Sequence, residues 1–288
     1  MERRTRSYLQ LIKPGITLSN TIAAIAGYFL AVSIASFEIK TFIGVIGGTA
    51  AVIASACVVN NIIDRHVDRR MKRTSKRVIV GGDISTTRAA IVAVLLGIVG
   101  FVLLAAWTNT LTVLLGAIAY IWYIAIYGYA KRTTAYSTLI GGVAGALPPV
   151  AGYTAVTGSI DGAAVVLFLI LFFWQMPHFY AIAIFRRKDY EKAGLPIWSV
   201  ERGVKSAKAQ ILYFVLAYAL VAPLLTVYGY TGTVYEVAVI ALSVYWLWVG
   251  IRDYKTVDDV VWAKKMFGIS LIVLLAVCFL IAIGGYLP

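Results

Sequence analysis

The sequence predicts an all-α, polytopic membrane protein in which nine transmembrane helices form a bundle around a central apolar cavity, with the N-terminus cytoplasmic. Three observations predict it. Of the 288 residues, 61% are hydrophobic and only 14% charged, and the mean hydropathy is +0.85, too apolar to clothe a soluble domain in polar surface. Uncharged runs follow one another with short polar breaks, and most are long enough to cross the roughly 30 Å hydrocarbon core at about 1.5 Å per residue. Lys and Arg gather on alternate breaks, which fixes an orientation.

The runs are 14–37, 41–63, 89–130, 133–160, 162–185, 209–235, 237–251 and 266–288. The third is too long for one span and is broken by the polar Trp107-Thr108-Asn109-Thr110, so it makes two helices. The run 237–251 is short and is expected to begin near Thr233, with Glu236 in the outer interface. One side of this topology carries Arg3, Arg4, Arg6 and Lys13, the bases of 65–88, Lys131 and Arg132, the bases of 186–208, and Arg252, Lys255, Lys264 and Lys265. The other carries only Lys40. The bias puts the N-terminus inside and the C-terminus outside a cell's inner (cytoplasmic) membrane. It also accounts for the net charge of +13, because the bases sit among anionic lipid headgroups and within reach of a cytosolic anionic substrate. No nucleic-acid motif accompanies them. The first run is full length and lacks a small-residue cleavage pattern, so a cleavable signal peptide is not expected. Cys57 and Cys278 fall inside spans without CxxC spacing and read as small packing residues.

Residues 1–13 read as a short amphipathic segment, with Tyr8, Leu9, Leu11 and Ile12 available to lie on the membrane surface. Lys13-Pro14-Gly15 marks entry into the first span. The second span ends at Asn60, Asp64 and Asp68, spaced i, i+4, i+8. On a continuing helix this puts an amide and two carboxylates on one face, about 6 Å apart along the axis. Such carboxylates need cations. A Mg²⁺ bound by one or two of them plus the oxygens of a phosphate fits, and the Arg and Lys cluster that follows is available to the same phosphate. The plainer reading is a solvated helix end. The acids preceding the bases, and a second polar loop of matching chemistry, favour a site.

Gly81-Gly82-Asp83 is a turn signal, after which the third and fourth spans form a hairpin. The fourth ends in Tyr127-Gly128-Tyr129-Ala130-Lys131-Arg132, either a topology anchor or a second basic arm of the site. The fifth holds Gly141-Gly142, Gly145 and Pro148-Pro149, which implies close helix packing and a local kink. The sixth carries Trp174-Gln175-Met176-Pro177-His178-Phe179-Tyr180. A proline and a histidine in mid-span are costly unless they face a cavity; the alternative is a histidine hydrogen-bonded within the bundle. This span exits into the second polar loop, from Arg186 to Pro196, on the same side as the first. The last three spans read as scaffold, and 252–259 as a solvated connection. Two polar loops capping a wide apolar interior fit a substrate with a diphosphate head at the rim and a lipid tail among the helices, which is the shape of an isoprenyl diphosphate.

These residues carry a resemblance. Asn60-x-x-x-Asp64-Arg65-x-x-Asp68, with Arg73-Thr74-x-x-Arg77, resembles the first aspartate-rich motif of the UbiA-type intramembrane prenyltransferases. Tyr127-x-x-x-Lys131-Arg132-x-Thr134 resembles their loop between the fourth and fifth helices. Trp174-Gln175-Met176-Pro177-His178, Lys188-Asp189-Tyr190, Ala193-Gly194-Leu195-Pro196 and the stretch Val261-Trp262-Ala263-Lys264-Lys265-Met266-Phe267-Gly268 are similar to the heme-modifying branch of that family. The likeness runs from about Leu11 to the last span. One departure matters: the wider family has an Asp-x-x-x-Asp second motif, and here its first position is Phe185, leaving Asp189 alone and shifting part of the diphosphate binding to Lys188 or Arg186.

The resemblance implies one membrane prenyltransferase domain over residues 1–288, with cytosolic active-site loops 60–88, 131–135 and 186–208. It implies transfer of a farnesyl group from farnesyl diphosphate to a vinyl group of heme b with water addition. Asp64 and Asp68 would be catalytic and, with Asn60 and Asp189, would hold Mg²⁺. Asn60, Arg65, Arg73, Arg77, Lys131, Arg132, Lys188 and Asp189 would bind the diphosphate, and His178 would bind the heme. Tyr123, Tyr127, Trp174, Phe179 and Tyr180 are candidates for an aromatic cavity that shields the allylic cation, and His66 is expected at the surface. Membrane lipids and a downstream heme A synthase or terminal-oxidase assembly are the implied partners. Two rivals stay open: a relative that prenylates an aromatic or lipid acceptor, which has no need of His178, and a non-enzymatic heme carrier, which has no need of the metal site.

Overall fold

The computed structural model describes residues 2–33, 35–255 and 258–288, with side chains from Ser7 onward. Met1 and the side chains of Arg3, Arg4 and Arg6, counted above for topology, lie outside the described residues, as do residues 256 and 257 of the 252–259 connection. Among the described residues, nine helices are long and apolar enough to cross a membrane: α1 Pro14–Val32, α2 Ile39–Asp68, α3 Thr86–Trp107, α4 Thr110–Thr133, α5 Ser137–Thr157, α6 Gly162–Phe185, α7 Gly203–Val227, α8 Thr233–Arg252 and α9 Asp259–Gly284. This is a multi-pass membrane protein.

The ends of the helices are written locally. Pro14 opens α1 at its first turn, where the missing N–H is no loss. Ser85, Asn109, Asp161 and Asp258 accept hydrogen bonds from free backbone N–H groups at the starts of α3, α4, α6 and α9. Such caps are each worth about 1 kcal/mol. Asn109 has a second role: its Nδ2 donates to the Thr154 carbonyl at 2.6 Å, tying the α3–α4 corner to the end of α5. The expected break of the long third run therefore falls at 108–109, and α8 begins at Thr233 with Glu236 in its first turn, as read.

α6 is the hub of the bundle, packing against α5, α7 and α9, while α9 also packs on α1 and so closes the ring. The tightest crossing is α1 on α5. A Cβ on Gly27 would collide with the Pro149 carbonyl, and one on Gly152 with the Ala24 carbonyl, so only glycine permits this approach of two backbones. Pro148 and Pro149 lie inside a continuous α5. α2 and α4 each contain one π-helical segment, Gly44–Gly48 and Trp122–Ile126.

Three expectations are corrected. Leu11 is fully buried with Val58, Val78, Ile84, Ala89 and Ala93, so the N-terminal helix Glu2–Leu11 docks on α2 and α3 through that side chain; Tyr8 and Leu9 remain exposed. The second polar loop folds into short helices, Arg187–Ala193 and Trp198–Glu201. The 252–259 connection is knitted down rather than simply solvated: Asp253 pairs with Arg252 and Lys265 at 2.7 and 2.6 Å. Lys208 of α7, 4% exposed, lies 4.4 and 4.7 Å from the Tyr254 and Trp262 rings and donates to Asp259 at 2.7 Å.

Candidate active site

The ring encloses a cavity of about 680 Å³ whose polar end, the mouth, is lined by residues of the two polar loops. Six helices and one residue of α3, Leu104, supply its walls; among the described residues α7 and α8 supply none. From Asn60 down to Thr49 the α2 wall runs about 16 Å, and both ends line the cavity. The two polar loops meet over the mouth. Met71 of the first packs on Ala193 and Leu195 of the second, with Val67, Tyr190 and Ile197 around them.

α2 stays helical through Asp68, so Asn60, Asp64 and Asp68 do share one face, and all three are buried and line the cavity. Each is met by a base from a different segment. Lys13, just before α1, donates from Nζ to Asn60 Oδ1 at 2.9 Å. Lys131, at the end of α4, places Nζ 2.5 Å from Asp64 Oδ2, and Arg132 places Nη2 3.0 Å from Asp64 Oδ1. Arg77 donates from Nη1 to Asp68 Oδ2 at 2.6 Å, and the Asp68 carbonyl takes the Thr74 hydroxyl at 2.9 Å, which folds the loop back toward the helix end. Buried carboxylates are tolerable only with such partners.

Arg73, Arg186 and Tyr190 complete the mouth. Burial pushes the Tyr190 phenol up, and the guanidinium groups of Arg73, Arg186 and Arg77 pull it back, so three arginines converge there. Lys13 was read from the sequence only as a topology base. Burial pushes its ammonium down to about 8, Arg77 adds to the effect, and Cys57, Asp64 and Asp68 oppose it. Its backbone sits at φ 49°, the one non-glycine at positive φ among the described residues, a conformation that costs energy and persists where the surroundings enforce it. No spacing rule links Lys13 to Asn60; the Lys-Pro-Gly entry to α1 was the only signal.

The other expected residues divide. Arg65 turns back to the Ile62 carbonyl at 2.9 Å, and Arg132 reaches Asp64 from an exposed position. Lys188 is exposed, Asp189 half-buried, and neither lines the cavity. Among the described residues no group of three His, Cys, Asp or Glu side chains stands ready to hold a metal. The rim therefore offers two carboxylates and an amide, hard oxygen donors that suit Mg²⁺ completed by phosphate oxygens.

Below the rim the walls turn apolar and aromatic. Tyr123 and Tyr127 stack at 5.6 Å, and Lys131 Nζ lies 5.3 Å from the Tyr127 ring. Trp174, Phe179 and His178 line the cavity from α6. His178 stacks on Trp174 at 5.2 Å and meets Phe267 at 4.7 Å; its Nδ1 is 2.8 Å from Ser270 Oγ. Gln175 donates from Nε2 to the Gly142 carbonyl at 2.8 Å. Tyr180, expected on this wall, is buried on the far side against Trp198 and Phe214, because it lies two residues beyond His178 on a helix of 3.6 residues per turn. His66 is exposed, as expected. Ser270 was missed, although it is the one serine or threonine in 266–288.

Residues 20–285 match the model of the UbiA prenyltransferase family. The chain is 45% identical over 284 residues to a protoheme IX farnesyltransferase of Salmonella arizonae, covering 98% of this chain and 96% of that protein. In structure it is similar to a digeranylgeranylglyceryl phosphate synthase, with a TM-score of 0.79 at 20% identity over 99% of each chain. It is also similar to a UbiA homologue from Archaeoglobus fulgidus bound to GPP and Mg²⁺, with a TM-score of 0.66 at 18% identity over 96% of this chain and 99% of that one.

Proposed function

This chain belongs to the UbiA prenyltransferase family, and on that premise we propose that it transfers a farnesyl group from farnesyl diphosphate to a vinyl group of protoheme IX (heme b), with addition of water, giving heme O and diphosphate. One observation carries the reading: His178 stands on the wall of the same cavity whose mouth holds Asp64 and Asp68. The imidazole suits an iron porphyrin, the acidic mouth suits a metal-bound diphosphate, and one apolar chamber lies between them. A structurally similar UbiA homologue from Archaeoglobus fulgidus was solved bound to GPP and Mg²⁺, a prenyl diphosphate and a metal of the class proposed here.

Asn60, Asp64 and Asp68 would hold Mg²⁺, which supplies the charge that neutralises the leaving diphosphate. Lys131, Arg132, Arg77, Arg73 and Lys13 lie within the mouth or against its acids, so their positive charge is fixed before the substrate arrives. Preorganised groups of this kind are commonly worth about 3 kcal/mol each in the transition state. Arg186, one of the two bases expected to take over part of the diphosphate binding, and Tyr190 line the cavity and would meet the diphosphate, with Lys188, Asp189 and Arg65 as outer contacts. The allylic C–O bond breaks, and the terminal vinyl carbon bonds to farnesyl C1. Water adds to the cation left on the other vinyl carbon, and its proton leaves to the diphosphate or solvent. Tyr123 and Tyr127 present ring faces to the allylic cation, and the apolar walls keep water from capturing it early.

The protein is assigned to a cytoplasmic membrane with its N-terminus and the loops 60–88, 131–135 and 186–208 in the cytosol, where farnesyl diphosphate arrives, and a downstream heme A synthase or terminal-oxidase assembly receives the product. The test is purified protein with heme b, farnesyl diphosphate and Mg²⁺, followed by mass spectrometry. A heme adduct heavier by farnesyl plus water is expected. Unchanged heme, with an aromatic or lipid acceptor prenylated instead, overturns the proposal.

A further inference from the structure

We infer that Ser270, on α9, is a positioning residue that fixes His178 in the tautomer whose Nε2 carries the lone pair, and so prepares it to bind the iron of the acceptor. The iron-binding step rests on the heme reading above; the tautomer stands on the protein alone.

Ser270 Oγ donates to the Phe267 carbonyl at 2.6 Å, a backbone bond one helical turn back that serines on helices favour. A hydroxyl has one hydrogen and two lone pairs. With its hydrogen committed, Oγ can only accept at 2.8 Å from His178 Nδ1, so the ring proton is on Nδ1. A neutral imidazole has one N–H, and Nε2 is left as the acceptor. Among the described residues Nε2 has no hydrogen-bond partner, and the ring lines the cavity.

The ring is also held against rotation. Trp174 lies one turn before His178 on the same face of α6, stacks on it with 27° between the planes, and donates from Nε1 to the Ser270 carbonyl at 2.7 Å. Phe267 closes the other side with 34° between the rings. One residue of α9 therefore accepts from both aromatic residues of α6, through its side chain from one and its backbone from the other. The protons run in a single direction, from imidazole to hydroxyl to carbonyl. Histidines that bind metals through one nitrogen almost always donate the other N–H to a fixed acceptor, which sets both tautomer and ring angle. The acceptor is usually a carboxylate or a carbonyl. A serine whose own hydrogen is tied up does the same without placing a charge in the bilayer.

The chain has two histidines, and His66 is exposed and outside the site, so a His66→Gln background leaves His178 as the single histidine signal. Full-length protein in lipid nanodiscs, labelled with ¹⁵N-histidine and free of heme, should show a protonated Nδ1 and an unprotonated Nε2. Ser270→Ala should mix the two tautomers. Titrated with ferric heme b, the parent should show an imidazole-ligated spectrum that His178→Ala loses. Ser270→Ala should weaken heme binding about 10- to 100-fold with the KM for farnesyl diphosphate unchanged, and Ser270→Thr should restore it. A heme-free parent spectrum with the proton on Nε2 overturns the inference without needing any variant to fold. So does a Ser270→Ala protein that binds heme as the parent does. A parent with the stated tautomer whose bound heme lacks an imidazole signature upholds the tautomer and overturns the iron-binding step together with the heme reading.

Discussion

Lys131 Nζ lies 2.5 Å from Asp64 Oδ2 across the gap between α4 and α2, with 9% and 12% of the two side chains exposed. On the proposed mechanism the ammonium occupies a carboxylate that would hold the metal, so this pair would exchange partners when a magnesium diphosphate enters. Asp64→Asn is therefore expected to lower kcat by at least about 10²-fold, the scale of losing one preorganised group, while heme b still binds. It also leaves Lys131 buried with a weaker partner, at a cost of about 3 kcal/mol in stability. Lys131→Met should act in the opposite sense on the metal: Mg²⁺ titrated without diphosphate binds more tightly, yet turnover falls. Equal losses of heme and diphosphate binding in Asp64→Asn would show that the two ends of the cavity are not separate in role.

Lys13 is the test of what the tertiary structure added. Lys13→Gln keeps the hydrogen bond to Asn60 within reach but removes the charge. It is expected to raise the KM for farnesyl diphosphate by about 10-fold, which is 1.4 kcal/mol, with heme affinity unchanged. Initial rates over a range of diphosphate concentrations decide it, and an unaltered KM would return Lys13 to the role of a topology base.

Tyr127 lines the cavity from α4, whereas Tyr180 faces away from it on α6, against Trp198 and Phe214. Tyr127→Leu removes a ring from the cation's path and should lower kcat about 10-fold, with farnesol released by early water capture detected by chromatography. Tyr180→Phe should leave turnover unaltered. It should also raise thermal stability by about 1 kcal/mol, because the Tyr180 hydroxyl is buried with no hydrogen-bond partner among the described residues, and such a group carries an unreturned desolvation cost.

Gly27→Ala and Gly152→Ala each drive a Cβ into a backbone carbonyl of the facing helix. Neither carbonyl can move without moving its helix, so each change is expected to cost about 3 kcal/mol or more, read as a lower melting temperature in detergent. Gly268→Ala, with open space at its Cβ, serves as the control and should stay near the parent.

Much of the site was legible because it obeys local rules. Asp64, Asp68 and Asn60 lie within nine residues on one helix, where a 3.6-residue period alone puts them on one face. A proline and a histidine in the middle of an apolar span announce a cavity, since lipid offers them nothing. Positions past the end of a span are less legible for the complementary reason. Of the two bases offered in place of the missing aspartate, Arg186 lines the cavity and Lys188 does not, because the chain turns after Phe185 into the short helix Arg187–Ala193, which also brings Tyr190 to the cavity.

The sequence by itself determined the nine spans, the break between the third and fourth, and the acidic face at the end of the second, because hydropathy and helical spacing act over distances of one or two turns. Only the tertiary structure decided which base meets which acid, that Leu11 leaves the membrane surface for the interior, and that Ser270 stands opposite His178. Those contacts join residues 47 to 92 positions apart in Lys13–Asn60, Lys131–Asp64 and His178–Ser270. Pairings at such separations are fixed by how whole helices dock, and docking here depends on two glycines that let α1 and α5 touch.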